Sequence, residues 1–239
     1  MTLSAGIAWG MSGACGQYLM AHGMGVLALT DLRLIISGVC LLAMSYAFTR
    51  GQLVAFFKEK KNYAKITLFA FIGLFMNQFT YLEAIHLSNA GTATVLQYLC
   101  PVIILVYMCL KNRTTPTASE VTSIVLAILG TFIIATHGQL NQLSVTPLGL
   151  FWGIFSGFTY AIYIMLPIKL IQEYGSLTVI GVGMVIAGVI LFPMSGLTTM
   201  ELEYSVDILA ALTGIILIGT IISYTMFLKG TSYIGPVKS

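Results

Sequence analysis

Residues 81–105 read YLEAIHLSNAGTATVLQYLCPVIIL, in which two apolar runs flank a short spacer of small residues. Glu83 and His86 lie at the end of the first run, and Pro101 lies inside the second. Charge is costly in an apolar setting, and proline within a helix removes a backbone hydrogen bond. Membrane helices tolerate such a proline because neighbouring helices satisfy the freed carbonyl, and the kink can widen a cavity. The pattern predicts two antiparallel membrane helices, joined by a tight hairpin at residues 88–91 and kinked at Pro101.

The composition requires lipid as the solvent for much of this chain. Of its 239 residues, 58% are hydrophobic and 8% are charged, whereas soluble domains carry about 25% charged residues. No soluble core of this size could cover so much apolar surface. Eight apolar segments of about 18–21 residues are each long enough to cross a hydrocarbon core of about 30 Å. They are residues 3–21, 30–48, 66–86, 90–110, 120–137, 147–167, 176–194 and 208–228. We predict an all-α, multi-pass integral membrane protein of the cell membrane.

The basic residues predict the orientation of these helices. Ten of the eleven Lys and Arg residues lie in or beside connections on one side, chiefly residues 49–65 and 111–119. The alternate connections contain no Lys or Arg, and the last of them is acidic. Because basic loops stay in the cytoplasm, we predict a cytoplasmic amino terminus.

The chain also repeats itself. A constant offset of 143 relates Gly6, Trp9 and Gly10 to Gly149, Trp152 and Gly153. At an offset of 146, YLEAIHLSNAG from residue 81 can be aligned with FLKGTSYIGPV from residue 227. One unit contains five spans, an odd number, so the second copy must cross the membrane in the opposite sense. We predict an inverted repeat, with a first unit at 1–137 and a second at 147–239, although apolar segments also resemble one another by chance. The second unit holds three helices and the start of a fourth, so the chain looks truncated, with eight of ten expected membrane helices.

Three features resemble the EamA-like transporter family of the drug/metabolite transporter superfamily. They are the Trp9-Gly10 pair, Arg33 early in the second helix, and the signature running from Tyr81-x-x-Ala84 through Asn89-Ala90-Gly91 to Pro101-Val102. The resemblance implies two inverted five-helix repeats around a central substrate path, with both termini cytoplasmic. It also implies secondary transport, and we expect an exporter of small metabolites of amino-acid type. A multidrug efflux carrier and a transport-inactive fragment of such a protein are the alternatives.

Polar side chains at mid-depth predict which residues line the path, because lipid offers them no hydration. The candidates are Gln17, Asn77, Gln78, Gln97, Tyr98, Tyr160, Tyr163, Ser223 and Tyr224. The alternative is hydrogen bonding between helices with no ligand involved, worth about 0.6 kcal/mol on average. Trp9 and Trp152 are expected to pack beside close-approach faces made by the neighbouring glycines.

Two ionisable residues, Arg33 and Glu83, lie well inside the first unit's spans, toward the outer face. They are candidates for a gate or for an interfacial ion pair, with Asp31 close to Arg33 in sequence. An enzyme is disfavoured, because the three histidines are too scattered in sequence to form a metal motif. No cofactor or metal is expected. The expected partners are a small-molecule substrate and the lipid bilayer; a homodimer stays open, and nucleic acid is not expected.

Overall fold

The computed structural model describes residues 2–136, 146–197 and 205–227. Predictions that concern His137, the 138–145 connection and residues 228–239, including Lys229 and Gly235-Pro236, lie outside the described residues. Within the described ranges all regular structure is helical. The α-helices are α1 Thr2–Ala21, α2 Val26–Phe48, α3 Arg50–Lys58, α4 Lys61–Leu68, α5 Asn77–His86, α6 Ala90–Gln97, α7 Cys100–Asn112, α8 Ala118–Thr136, α9 Pro147–Met165, α10 Ile168–Tyr174, α11 Ser176–Leu191 and α12 Val206–Thr213. A 3₁₀ turn at Phe192–Met194 follows α11. Two π-helical segments complete the set: π1 at Phe69–Met76 joins α4 to α5, and π2 at Gly214–Ile222 follows α12.

Several of these helices run on from one another into long apolar rods. Within the described residues, six rods are long and apolar enough to cross a membrane. They are Val26–Phe48, Lys61–His86, Ala90–Asn112, Pro147–Tyr174, Ser176–Met194 and Val206–Phe227. The predicted first and fifth spans are helical as well, as α1 and α8, but they are not among these six. The chain is therefore an all-helical, multi-pass membrane protein, and the count of eight spans stays a prediction.

Short polar side chains define where several helices begin. Asn89 accepts a hydrogen bond from the backbone N of Thr92 at 2.8 Å, and α6 begins at the next residue. Thr146 likewise accepts from the N of Gly149 at 3.0 Å, with Pro147 in the first turn of α9. Both are N-caps, which satisfy amide groups that the first helical turn leaves without a carbonyl partner. The cap at Asn89 is the point at which the hairpin around residues 88–91 starts its second helix.

Pro101 lies in the first turn of α7, directly after a break between α6 and α7 at residues 98–99. Proline cannot donate to the carbonyl four residues earlier, which belongs to Gln97. Gly157 of α9 packs against this opened backbone: a Cβ added there would lie 3.4 Å from the Leu96 carbonyl oxygen and 3.5 Å from that of Gln97. The interruption therefore brings α9 close to the α6–α7 rod.

Helices α2 and α11 form a long, close interface that holds the centre of the fold. A Cβ added to Gly38 would lie 2.8 Å from the backbone N of Val185, so a larger side chain has no room there. Ser45 and Thr178 hydrogen-bond to each other through their hydroxyls at 2.7 Å across the same interface. Small residues and hydroxyl pairs of this kind are the usual means of helix association in lipid, where burial from water contributes nothing between helices.

The remaining main contacts are reciprocal. Helix α1 packs against π2, and α9 packs against α5 and π1. At offsets of 143 and 146, α1 corresponds to α9 and the α4–α5 rod corresponds to the α12 rod. When each helix is replaced by its repeat counterpart, the contact of α1 with the α12 rod becomes the contact of α9 with the α4–α5 rod, and the reverse also holds. An inverted repeat would require this.

The π segments also correspond, and each ends just before a polar pair. Asn77 and Gln78 follow π1, and Ser223 and Tyr224 follow π2, at an offset of 146. In π2 the hydroxyl of Thr220 donates to the carbonyl of Ile215 at 2.8 Å, five residues back, as the wider turn allows. A wider turn changes the direction in which later side chains point, so it helps decide which of them face the interior of the bundle.

Candidate functional site

The rods enclose a cavity of about 280 Å³. Residues from α1, α2, α5, α6, α9 and the α12 rod line it, and they combine aromatic rings, carboxamides, hydroxyls and one guanidinium. The lining residues are Trp9, Gly10, Ser12, Arg33, Asn77, Gln78, Tyr81, Thr94, Gln97, Tyr98, Tyr160 and Tyr224. Mostly apolar walls with a few convergent polar groups are typical of sites for small molecules.

The cavity brings together most of the residues that were proposed for the substrate path. Asn77, Gln78, Gln97, Tyr98, Tyr160 and Tyr224 line it, and so does Arg33. Gln17, Tyr163, Ser223, Glu83 and Pro101 are not part of its wall.

The three path candidates outside the wall have other contacts. Gln17 is exposed and accepts a hydrogen bond from the backbone N of Ala90 at 3.2 Å. Tyr163 is buried behind the wall, stacked on Tyr160 with ring centroids 5.7 Å apart. The hydroxyl of Ser223 donates to the carbonyl of Ile218 at 2.6 Å. The direction of each of these side chains was not predictable from the sequence.

The carboxamides are the least satisfied polar groups in the wall. Gln78 is 2% exposed, and neither its amide nitrogen nor its oxygen has a hydrogen-bond partner among the described residues. Its neighbour Asn77 accepts only a long bond, 3.5 Å, from the amide nitrogen of Gln97. A buried polar group left without a partner costs about 1–3 kcal/mol. The wall therefore holds an amide group that a ligand could satisfy.

Arg33 places a positive charge in the same wall. It is 4% exposed, and its Nε and Nη2 donate to the hydroxyl oxygen of Thr220 at 3.2 and 3.1 Å. Among the described residues, the ion pair found is Lys61–Glu59 at 2.6 Å, so neither Arg33 nor Glu83 forms one there. Asp31 faces α11 instead, where a Cβ added to Gly188 would lie 3.5 Å from its Oδ1. A buried charge without a paired charge is costly unless something else in the site compensates it.

Aromatic rings form another part of the wall. The ring of Trp9 lies 5.8, 5.5 and 4.8 Å from the rings of Tyr160, Tyr224 and Phe227. Its repeat counterpart Trp152 packs instead against Phe79 and two neighbouring phenylalanines, away from the cavity. Packing was expected for both tryptophans, and Trp9 does pack, but it also lines the cavity.

Similar proteins indicate the family to which this chain belongs. A family model described as "EamA-like transporter family" matches residues 1–136 and 147–239, which is nearly the whole chain. The chain belongs to the EamA-like transporter family. The resemblance inferred from Trp9, Arg33 and the residue 81–102 signature is thereby confirmed. Membership indicates a membrane transporter rather than an enzyme.

A relative and a solved structure agree with that family. The chain is 36% identical over 239 residues to an "Uncharacterized inner membrane transporter YicL" of Salmonella typhimurium strain LT2, covering 99% of this chain and 79% of that protein. A crystal structure with 14% identity superposes with a TM-score of 0.69, covering 97% of this chain and 80% of the other. At that identity the superposition shows the fold alone.

In this EamA-like chain, five wall residues were absent from the predicted set: Trp9, Gly10, Ser12, Tyr81 and Thr94. A signal existed for three of them, because Trp9, Gly10 and Tyr81 belong to the family motifs. Gly10 was expected to sit at a close helix contact, but a Cβ added there would meet no atom within 4 Å. Ser12 and Thr94 are small hydroxyl residues, which membrane helices often use for packing alone. Only the structure distinguishes that role from a place in the wall.

Proposed function

We propose that this EamA-like protein is a secondary transporter that exports small metabolites of amino-acid type across the cytoplasmic membrane. The observation that carries the proposal is the buried and unpartnered amide of Gln78 in the wall of a cavity between membrane rods. A packing residue in lipid would find a partner on a neighbouring helix, as Thr80 and Thr159 do at 3.1 Å. An amide that stays unpaired favours a ligand that pairs with it.

The size and chemistry of the wall support a small polar substrate. A cavity of about 280 Å³ lies just below the 300–1,000 Å³ that is typical for small-molecule sites. Carboxamides from Asn77, Gln78 and Gln97 offer both donors and acceptors, and Tyr160 and Tyr224 offer ring faces. This combination matches a molecule with one polar end and a short apolar part.

Multidrug efflux is the second candidate, and the aromatic wall around Trp9 favours it. Flat apolar rings accept many ligand shapes, and their faces attract cationic drugs. The guanidinium of Arg33 in the same wall acts against that role, because it repels a cation within the cavity. We therefore place amino-acid-type substrates first.

The proposal includes the inverted repeat and a cytoplasmic amino terminus. Two observations support the repeat: the exchange of the α1–π2 and α9–α5 contacts, and the equivalent positions of π1 and π2. Opposed units around a cavity near mid-depth are the usual basis of alternating access, in which one unit rocks against the other. The basic residues of 49–65 and 111–119 support the orientation.

The test is counterflow transport by the purified chain in liposomes, with tritiated amino acids and with ethidium as a multidrug probe. We expect saturable exchange of one or more amino acids, and loss of that exchange in Asn77→Leu with normal incorporation into the liposomes. Gln172→Leu removes an exposed carboxamide outside the cavity and should leave exchange unchanged. Ethidium exchange without amino-acid exchange would favour the second candidate, and no exchange of either would overturn both. Efflux from preloaded cells then tests direction.

A further inference from the structure

Arg33 is a fixed cation that faces the cavity. It comes from the first half of α2, is almost fully buried, and contributes to the wall together with Gln78 and Tyr81. The wall contains no Asp or Glu, and no carboxylate of the described residues lies within ion-pair distance of this guanidinium. A full positive charge so far from water calls for a negative partner.

Thr220 holds the guanidinium of Arg33 in place but accepts from only two of its N–H groups. A guanidinium carries five N–H groups in a planar fork. Nε and Nη2 each use one of them on Thr220, whose own hydroxyl donates to Ile215. Thr220 therefore fixes the orientation of the fork and leaves three N–H groups for another acceptor, one on Nη2 and two on Nη1. The remaining N–H of Nη2 and one N–H of Nη1 lie side by side at the end of the fork. Two parallel N–H groups on one fork match the two oxygens of a carboxylate.

The number of positive charges in the wall limits the charge of the anion that can bind there. Arg33 is the one Lys or Arg residue in the wall, so it can balance one negative charge, and a phosphate dianion would bring a second. The rest of the wall suits what an amino acid carries besides its carboxylate. Gln78 and Asn77 can accept from an ammonium group, and the ring face of Trp9 attracts a cation.

We propose that Arg33 binds the carboxylate of the substrate, so that this protein carries monoanionic or zwitterionic carboxylates. The proposal rests on the proposed function, because it assigns one substrate group to one residue of the same cavity. It names Arg33 as the residue that determines selectivity between an acid and its neutral analogue.

The test compares acids with neutral analogues of the same shape. Phenylalanine, leucine and threonine are measured beside their carboxamides, with 3-phenylpropanoate as a carboxylate without ammonium and phenylphosphonate as the dianion. Binding to purified wild-type protein is read from ligand-dependent thermal stabilisation, which does not require transport. We expect at least one acid to bind about 10- to 100-fold more tightly than its carboxamide, as a charge-assisted pair would give. This preference should disappear in Arg33→Gln, which keeps a donor for Thr220.

Arg50→Gln is the matched control. It removes the same charge from an exposed arginine just after α2, whose guanidinium lies over the ring of Tyr46 and outside the cavity. The acid preference should persist in this variant.

The proposal is overturned if no acid in the panel stabilises the wild-type protein, or if acids and carboxamides bind equally. A preference that survives in Arg33→Gln, or stronger binding of phenylphosphonate than of 3-phenylpropanoate, also overturns it. A compound that binds with the expected acid preference but is not exchanged in liposomes would refute the proposed function. It would still support Arg33 as the carboxylate subsite.

Discussion

Replacing Gln78 with methionine tests whether its amide binds a ligand or joins two helices. The two roles predict changes of opposite sign in the free energy of unfolding. Methionine is unbranched and similar in length, so it can fill the space of the glutamine without a polar group. Both polar atoms of the Gln78 amide are buried and have no hydrogen-bond partner among the described residues. Gln78→Met removes that penalty, whereas loss of a residue that joins two helices would destabilise the fold.

The structure sets the size of this effect. An unsatisfied buried polar group costs about 1–3 kcal/mol, so Gln78→Met should raise the free energy of unfolding by up to that amount. For a chain of this length, each kcal/mol moves the unfolding midpoint by about 2–4 °C, so the midpoint should rise by about 2–12 °C. Binding of the transported compound should weaken at the same time, because the amide no longer pairs with it. A gain in stability with a loss of function is the usual signature of a binding site.

The measurement is thermal unfolding of the purified, ligand-free protein in detergent, combined with binding of a compound identified by counterflow. Thr80→Val is the matched control on the same helix, because Thr80 hydrogen-bonds to Thr159 at 3.1 Å and is not part of the cavity wall. It should lower stability by about 0.6 kcal/mol and leave binding unchanged. A lower midpoint for Gln78→Met, with binding intact, would refute the reasoning and make Gln78 a packing residue.

Three further tests concern the surrounding structure. Gly38→Ala should destabilise the protein by about 1–3 kcal/mol, because its Cβ would lie 2.8 Å from a backbone nitrogen of α11. Gly130→Ala is the control, because a Cβ there would meet no atom within 4 Å. Thermal unfolding of this variant should show no loss of stability. Thr220→Val should weaken binding of the carboxylate through looser placement of the guanidinium, without changing the amount of protein in the membrane, and unchanged affinity would contradict this. Lys61→Cys and His86→Cys, made in a chain whose native cysteines are replaced, lie at opposite ends of one rod. They should react with an impermeant maleimide from opposite sides of the membrane, with His86→Cys labelled from outside. Labelling of Lys61→Cys from outside would show that the predicted topology is the wrong way round.

Much of the helical layout was predictable from the sequence because apolar length and polar hairpins are local properties. The spacer at residues 88–91 predicted the hairpin before α6. Pro101 predicted a kink within one helix, and the structure instead has a break at residues 98–99 between α6 and α7. The wide π segments were not predictable, since they leave no pattern in residues such as Phe69–Met76 that differs from an ordinary apolar helix.

The cavity was only partly predictable because depth and direction are separate quantities. Depth follows from counting residues at about 1.5 Å each, and Asn77, Gln78 and Tyr224, which were chosen in this way, line the cavity. Direction depends on the turns before each residue, and a π segment alters it. On the regular helix α9, the ring of Tyr163 stacks on that of Tyr160 and does not line the cavity. Tyr81 was named in the family signature but was not among the path candidates, and it lines the wall.

The geometry around Arg33 predicts that charge alone is insufficient at this position. Lysine would retain one positive charge, but its ammonium is a compact point charge without the planar fork. Arginine bonds to Thr220 through Nε and Nη2 while Nη1 points elsewhere, and a lysine side chain cannot divide its donors in the same fixed plane. Arg33→Lys should therefore keep a preference for an acid over its carboxamide, because the charge remains. It should bind the acid about 10-fold more weakly than wild type, because one charge-assisted hydrogen bond of about 1.5 kcal/mol or more is lost. Parallel thermal-shift titrations of wild type, Arg33→Lys and Arg33→Gln measure both quantities. Wild-type affinity in Arg33→Lys would show that the fork does not matter, and loss of all acid preference would show that charge was never the basis of selectivity.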